Sequence, residues 1–179
     1  MATLEQQLFA SGLPVEALME KAALAVARRL EQPDWWTQRQ QRGALVLVGP
    51  GHNGGDGLVV ARELHLAGIA GRIWSPFERH KPLTAAHLGH GRWLGIPLLQ
   101  EAPDPADGAL WIDGLFGIGQ RQRPGDAIEN LLLARQRQRP TPQSRLVFHH
   151  HRRRRRPGDP RRNARHDRRF RLGPHHRHH

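Results

Sequence analysis

The chain has 179 residues, enough for one domain, and its basic excess is confined to residues 141–179. Residues 1–140 carry 15 basic and 14 acidic side chains, whereas residues 141–179 carry 13 basic and 2 acidic side chains and eight of the thirteen histidines. The absence of cysteine excludes disulfides and thiol chemistry, and no apolar run approaches the ~20 residues of a membrane span. The N-terminus lacks the features of a signal peptide, so we expect a cytoplasmic protein.

The first predicted elements are a helix, a strand and a second helix. Apolar residues recur at helical spacing over residues 15–30, with Pro14 suited to the first turn and Ser11 available as a cap. The run Ala44–Val48 is continuously apolar, as expected of a strand that is covered on both faces. A loop with five glycines follows it, and Leu58–Ala67 again has helical spacing.

The same alternation continues through the rest of the first 140 residues. It predicts a strand, a helix capped by Thr84, a strand that ends at Asp113 and a last helix, at Gly71–Ser75, Thr84–Leu94, Leu110–Ile112 and Ala127–Arg137. Strands that alternate with helices predict an α/β fold, a three-layer αβα Rossmann-like sandwich with a mainly parallel sheet.

The alternation stops after Pro140. A fold of this kind should continue with another apolar strand, but the sequence offers only a brief Leu146-Val147-Phe148 before runs of histidine and arginine. We therefore predict an incomplete domain over residues 1–140, with its last strand or strands missing, and an Arg- and His-rich tail over residues 141–179.

Three interpretations of the tail stay open. The run Arg152–Arg156 suits a nucleic-acid-binding arm with salt-dependent, sequence-blind affinity. A segment this polar also suits a disordered tail without a role. We favour a third interpretation, out-of-frame translation of a GC-rich gene, because the composition breaks where the next strand is due.

The most informative segment is the loop Gly49–Gly57. Three of its glycines match Gly-x-Gly-x-x-Gly between a strand and a helix, which indicates close approach of the backbone to a phosphate. Asn53 and Asp56 suit oxygen ligands of a cation or partners of sugar hydroxyls better than a plain phosphate cradle. The alternative is a tight strand-to-helix connection in which Asp56 caps the helix.

A second glycine loop follows Asp113. If its strand lies beside Ala44–Val48, Asp113 and Asn53 converge and supply oxygen ligands for a small cation. Alternatively, Asp113 accepts N–H bonds in the turn that follows it. Gly117 and Gly119 offer a second close backbone approach, and Arg121 and Arg123 beyond it either meet phosphate or remain solvated loop charges.

Three ordered motifs resemble the NAD(P)H-hydrate epimerases, the YjeF N-terminal domain. Gly49–Gly57 with Leu58–Leu64 resembles the first signature of that family, Asp113–Gly119 the second, and Leu18–Ala22 the helix that precedes them. The resemblance covers about residues 8–140. It implies a Rossmann-like fold and an isomerase that interconverts the R and S epimers of NADH or NADPH hydrated at C6 of the nicotinamide ring.

The resemblance also implies the site. Asn53 and Asp113 are expected to bind a potassium ion, the family's cofactor. The residues expected to contact the hydrated dinucleotide are His52, Asn53, Gly54, Gly55, Asp56, Gly117, Ile118, Gly119, Gln120, Arg121, Gln122 and Arg123. An ADP- or ATP-dependent dehydratase, fused or separate, is the expected partner. A homodimer is open because the helix at 15–30 can pack on a partner subunit as well as on its own sheet.

Two departures from the family pattern bear on activity. His52 stands where many members carry asparagine, and it keeps a side-chain donor and acceptor. The third signature, Asp-x-Pro-Ser-Gly, should follow on the next strand and supply a catalytic carboxylate, but Ser144–His151 holds no match and the catalytic residue stays unassigned. The alternatives to an epimerase are a dinucleotide-binding domain without catalysis and a basic nucleic-acid-binding protein that acts through the tail.

Overall fold

The computed structural model describes residues 10–32, 42–117, 125–138 and the backbone of a strand at 145–147. Helices and strands alternate through these residues, as the sequence predicts, and the α/β class is confirmed. Their bounds are α1 Val15–Leu30, β1 Ala44–Val48, α2 His52–Leu66, β2 Gly71–Trp74, α3 Pro82–Trp93, β3 Leu98–Leu99, β4 Leu110–Gly114, α4 Asp126–Arg137 and β5 Arg145–Val147.

The described strands form one parallel sheet in the order β3-β2-β1-β4-β5. The chain begins in the middle of the sheet with β1, adds β2 and β3 on one side, and then crosses to add β4 and β5 on the other. The strand order therefore reverses between β1 and β4. In open α/β sheets, ligands bind outside the carboxyl ends of the strands at such a switch point.

The sheet has two strands that the sequence did not predict. Leu98–Leu99 forms β3, which is too short to show an alternating pattern. Arg145–Val147 forms a short β5 that pairs with β4 and includes part of the brief apolar run after Pro140. That the last strand or strands of the sheet are missing stays a prediction. The boundary at residue 140 stays a prediction, since residues 148–179 lie outside the described part of the chain.

The core lies on both faces of the central strand, which is why β1 is apolar throughout. Alternate residues of β1 face opposite ways. One face packs against α1, α2 and α3 through Ala44, Val46 and Val48. The other face joins Trp111 and α4 through Leu45 and Leu47. This division confirms the predicted three layers, and α1 buries its apolar face on its own domain.

An ion pair joins α1 to α2 at the edge of this core. The Arg62 guanidinium donates to both carboxylate oxygens of Glu20, at 2.9 and 2.6 Å, and to Glu63 at 2.7 Å. The hydrogen bond from Arg62 lowers the pKa of Glu20, against the opposing effect of burial. A bidentate pair of this geometry is stronger than an ordinary surface pair.

We expect Glu20→Gln to lower the free energy of unfolding by about 1 kcal/mol at pH 7, after discounting for partial solvent exposure. The pKa of Glu20 in the folded state is below its ordinary value of 4.5. The ion pair therefore stabilises the fold fully at pH values above 4.5, and this stabilisation is lost as the pH falls through the lowered pKa. Urea unfolding at neutral and acid pH measures the difference, with the exposed Glu16→Gln on the same helix as control. An equal difference at both pH values would contradict this assignment.

Candidate functional site

The glycine-rich segment is mostly helix, not loop. β1 ends at Val48 and α2 begins at His52, with Gly51 as its N-cap, so only residues 49–51 connect them. The sequence predicted a helix from Leu58, because glycine disfavours helix and its clustering indicates a loop. The correction also removes one alternative, because Asp56 lies in the second turn of α2 and is not its N-cap.

These glycines are required by close backbone contacts between the two motifs. A Cβ on Gly49 would lie 1.8 Å from the carbonyl oxygen of Leu115, and one on Gly54 would lie 2.1 Å from that of Gly49. A Cβ on Gly114 would lie 2.7 Å from the backbone oxygen of Asn53, and the Gly49 N–H donates to the Gly114 carbonyl at 3.2 Å. The first glycine segment and the loop after β4 therefore pack backbone against backbone.

The predicted convergence of Asn53 and Asp113 depended on neighbouring strands, and that condition is confirmed. β1 pairs with β4, and Leu47 is the register partner of Asp113. The Asn53 side-chain amide donates to the carbonyl oxygen of Phe116 at 2.8 Å. Its oxygen lies 2.7 Å from the position of a Cβ on Gly117, so a larger residue there would require the Asn53 side chain to move. Asn53 thus joins the start of α2 to the second loop.

Asp113 is buried, with 5% of its surface exposed, at the carboxyl end of β4. One carboxylate oxygen accepts the Leu115 N–H at 3.1 Å, which confirms the turn role considered from the sequence. Carboxylate oxygens can each accept more than one bond, so the turn contact does not by itself exclude a cation.

The groups at this edge suit a cation that prefers oxygen. They are a carboxylate, a side-chain amide and backbone carbonyls, brought together by the contacts of Asn53 and Asp113. Within the described ranges, no three His, Cys, Asp or Glu residues cluster in a way that could hold a metal ion. A donor set with one carboxylate and neutral oxygens fits a hard cation of low charge better than a transition metal.

His52 lies at the rim of the site, where α2 begins. Desolvation lowers the pKa of the His52 imidazole, the nearby Lys81 ammonium lowers it further, and Glu16 opposes both. The ring is therefore neutral at pH 7. The first turn of α2 contains no acidic residue, so the N-terminal end of the helix dipole is available to an anion.

Gly54 and Gly55 are both buried. A Cβ on Gly55 would lie 2.8 Å from the Met19 sulfur, so this glycine lets α1 approach α2. Gly117 lies next to Asn53, as described above. The other residues predicted in the second loop lie outside the described residues, and their roles stay predictions: Ile118, Gly119, Gln120, Arg121, Gln122 and Arg123.

A third segment, the connection from β2 to α3, contacts both glycine segments and was not predicted from the sequence. α3 begins at Pro82, so Thr84 lies inside the helix and the predicted cap is wrong. The Thr84 hydroxyl instead donates to the Gly51 carbonyl at 2.9 Å. The Phe77 ring packs edge-on against Phe116, with 6.4 Å between the ring centroids. No motif marks this segment, but it follows β2 at the same edge of the sheet.

The parallel sheet has a Rossmann-like strand order, and the two interlocked glycine segments lie at its switch point. These features define a Rossmann-like α/β protein with a candidate ligand site between β1 and β4. The comparisons with known proteins specify the class. The family described as "YjeF-related protein N-terminus" matches residues 15–142, and the chain belongs to this family.

Similar proteins include the bifunctional NAD(P)H-hydrate repair enzyme of Synechocystis, 46% identical over 74% of this chain and 25% of that protein. The NAD(P)H-hydrate epimerase of Rhodobacter capsulatus is 37% identical over 66% of this chain and 59% of its own length. The crystal structure of the yeast protein ynu0 covers 73% of this chain and 59% of its own, with 25% identity and a TM-score of 0.58. The chain thus spans about a quarter of the bifunctional relatives.

The described residues include no helix long and apolar enough to cross a membrane.

Proposed function

We propose that this chain binds hydrated NADH or NADPH at the carboxyl edge of β1 and β4 and interconverts its R and S epimers. The observation that carries the proposal is the interlocking of Gly49, Gly54 and Gly114 at the switch point of the sheet. The family and the relatives named NAD(P)H-hydrate epimerase support it.

The start of α2 holds the pyrophosphate of the substrate in this proposal. The first backbone N–H groups of a helix have no partner within the helix, and the dipole places partial positive charge there. The absence of side chains on the neighbouring glycines lets a phosphate approach the backbone. His52 to Asp56 and Gly117 to Arg123 contact the dinucleotide, as the resemblance implies.

Potassium is the proposed cofactor, held by the side-chain oxygens of Asn53 and Asp113. The donor chemistry described above supports this assignment. If bound there, the ion would supply positive charge that offsets the negative charge of the Asp113 carboxylate. The chain's own contribution is to hold Asn53 through Phe116 and Asp113 through Leu115.

The reaction needs one proton to be given and taken back. In the first step the C6 hydroxyl takes up the proton and leaves as water, driven by the lone pair of the ring nitrogen. In the second step water adds to the opposite face of the ring and gives the proton back, which inverts the configuration at C6. A positioned acid–base group accelerates such a step by about 10²–10⁴-fold. The sequence lacks the signature that supplies this group in the family, which favours a second candidate function, dinucleotide binding without catalysis.

The decisive experiment measures equilibration of the S and R epimers of hydrated NADH with the full chain, alongside NADH binding by fluorescence titration. Equilibration faster than the spontaneous rate supports the epimerase. Binding without acceleration supports the second candidate. If the chain shows no acceleration and no binding, the proposal is overturned for this chain.

The remaining partners and the location stay predictions. A fused or separate dehydratase remains the expected partner, and the relatives named bifunctional NAD(P)H-hydrate repair enzyme support it. A homodimer, a cytoplasmic location and a nucleic-acid-binding role of residues 141–179 are open to direct measurement.

A further inference from the structure

The segment from Phe77 to Thr84 lies outside both glycine motifs, yet it contacts both. The Lys81 N–H donates to the Pro50 carbonyl at 2.8 Å, and the Thr84 hydroxyl donates to the Gly51 carbonyl at 2.9 Å. At the other end, Phe77 packs against Phe116 of the second loop with the ring planes at 88°.

We propose that residues 77–84 form a brace that sets the positions of the two glycine segments, with Thr84 and Phe77 as positioning residues. The inference rests on the proposed function, because the segments that it aligns are those that would hold the dinucleotide and the cation.

The brace fixes two consecutive peptide groups at the start of α2. A peptide group is planar, so the direction of each carbonyl fixes the direction of the N–H that follows it. No described peptide bond is cis, and in a trans peptide the C=O and N–H point in opposite directions. With the carbonyls of Pro50 and Gly51 held toward the brace, the N–H groups of Gly51 and His52 point away from it. Successive N–H groups aimed together form an anion-binding concavity.

Thr84 is suited to this role by its burial. The residue is fully buried, and its hydroxyl reaches across to another segment. Inside a helix, a threonine hydroxyl commonly bonds to a carbonyl of its own preceding turn. Gly51 O also accepts the N–H groups of Gly54 and Gly55, at 3.0 and 3.4 Å. The hydrogen bond from Thr84 therefore restrains the Gly51 carbonyl, which is also the acceptor for the first turn of α2.

Phe77 acts on the second loop through Phe116. An edge-to-face aromatic pair restricts the position of both rings. The carbonyl of Phe116 accepts the side-chain amide of Asn53, whose oxygen is a proposed potassium ligand. A displaced Phe116 therefore displaces Asn53, even though Phe77 itself contacts neither substrate nor ion.

The first test compares Thr84→Val, which has nearly the same shape but no hydroxyl, with Thr84→Ser, which keeps the hydroxyl. We expect Thr84→Val to weaken NADH binding about tenfold, and Thr84→Ser to bind within about twofold of the unaltered chain. A purely structural role would not be rescued by serine, since serine also loses the buried methyl group. NADH binding by Thr84→Val equal to that of the unaltered chain, or equal weakening by both variants, would overturn the proposal.

The second test compares Phe77→Leu with Phe77→Tyr, which keeps the aromatic edge. The KCl concentration that gives half of the potassium-dependent stabilisation should rise about threefold in Phe77→Leu. In Phe77→Tyr this concentration should stay at the value of the unaltered chain. An unchanged KCl response in Phe77→Leu would overturn the role of Phe77.

A measurement without ligand separates the brace from the proposed function. Amide hydrogen exchange should increase at residues 51–56 in Thr84→Val and at residues 114–117 in Phe77→Leu. Unchanged exchange in these variants overturns the brace even if the chain is an epimerase. Increased exchange at those residues, in a chain that does not accelerate equilibration, supports the brace and refutes the proposed function.

Discussion

Gly54→Ala should destabilise the fold and abolish ligand binding, whereas the same substitution at Gly89 should stabilise it. Both glycines lie within helices, where alanine is preferred by about 1 kcal/mol. The surroundings decide the sign. A Cβ at Gly89 meets nothing within 4 Å, but one at Gly54 would lie 2.1 Å from the Gly49 carbonyl oxygen.

The clash at Gly54 cannot be relieved by rotating a side chain, because the atom that it meets is backbone. Gly49 is itself packed against Leu115 O, so moving it would separate the two glycine segments. Overpacking costs about 1–3 kcal/mol in ordinary cores. We expect a net loss of about 2 kcal/mol for Gly54→Ala and a gain of about 1 kcal/mol for Gly89→Ala.

Urea unfolding of both variants measures these changes, and NADH titration measures the site. Wild-type stability and binding in Gly54→Ala would mean that the two segments are not in backbone contact. Loss of stability in Gly89→Ala would show that alanine is unfavourable at exposed positions of these helices for a reason other than packing.

The parts of the fold that sequence patterns predicted are those with a repeating apolar period. α1 has four fully or largely buried positions at helical spacing, Met19, Ala23, Ala27 and Leu30, and its bounds were predicted as observed. β1 is buried at every position, so its continuous apolar run marked it without ambiguity. An apolar repeat in the sequence arises where the same side of a helix or strand is buried along its length. α1 and β1 are buried in this regular way.

The errors arose where tertiary contact overrides local preference. α2 begins six residues earlier than predicted because its glycines serve packing against Gly49, Met19 and Val46 and not flexibility. β3 and β5 are two and three residues long, which is too short for a period to appear. Thr84 has the composition of a cap, and only the position of Gly51 shows that its hydroxyl serves another segment.

The predicted convergence of Asn53 and Asp113 depends on one condition, that their strands are neighbours, and β1 does pair with β4. Parallel strands place their carboxyl ends at one edge, and a crossover topology limits which strands can lie together. Phe77 could not be found in this way, since its contact with Phe116 depends on ring geometry in a connection without a motif.

Asp113→Asn should separate the two roles of that carboxylate. The amide oxygen of asparagine can still accept the Leu115 N–H, so the turn survives, while the negative charge beside the proposed potassium site is removed. Even with strong solvent screening, loss of a charge in contact with an ion reduces ion affinity by about 100-fold. We therefore expect near-native stability without potassium and little further stabilisation when KCl is added.

Asp113→Ala should behave differently, because it leaves the Leu115 N–H without its acceptor in a buried turn and lowers the free energy of unfolding by about 2 kcal/mol in any salt. The matched control is Asp107→Asn, since Asp107 also accepts the N–H two residues on, at 2.9 Å from Ala109, but lies in the connection before β4. Unfolding midpoints in KCl and in choline chloride measure all three variants. If Asp113→Asn gains as much from KCl as the unaltered chain does, the carboxylate serves only the turn and the cation site must be sought elsewhere.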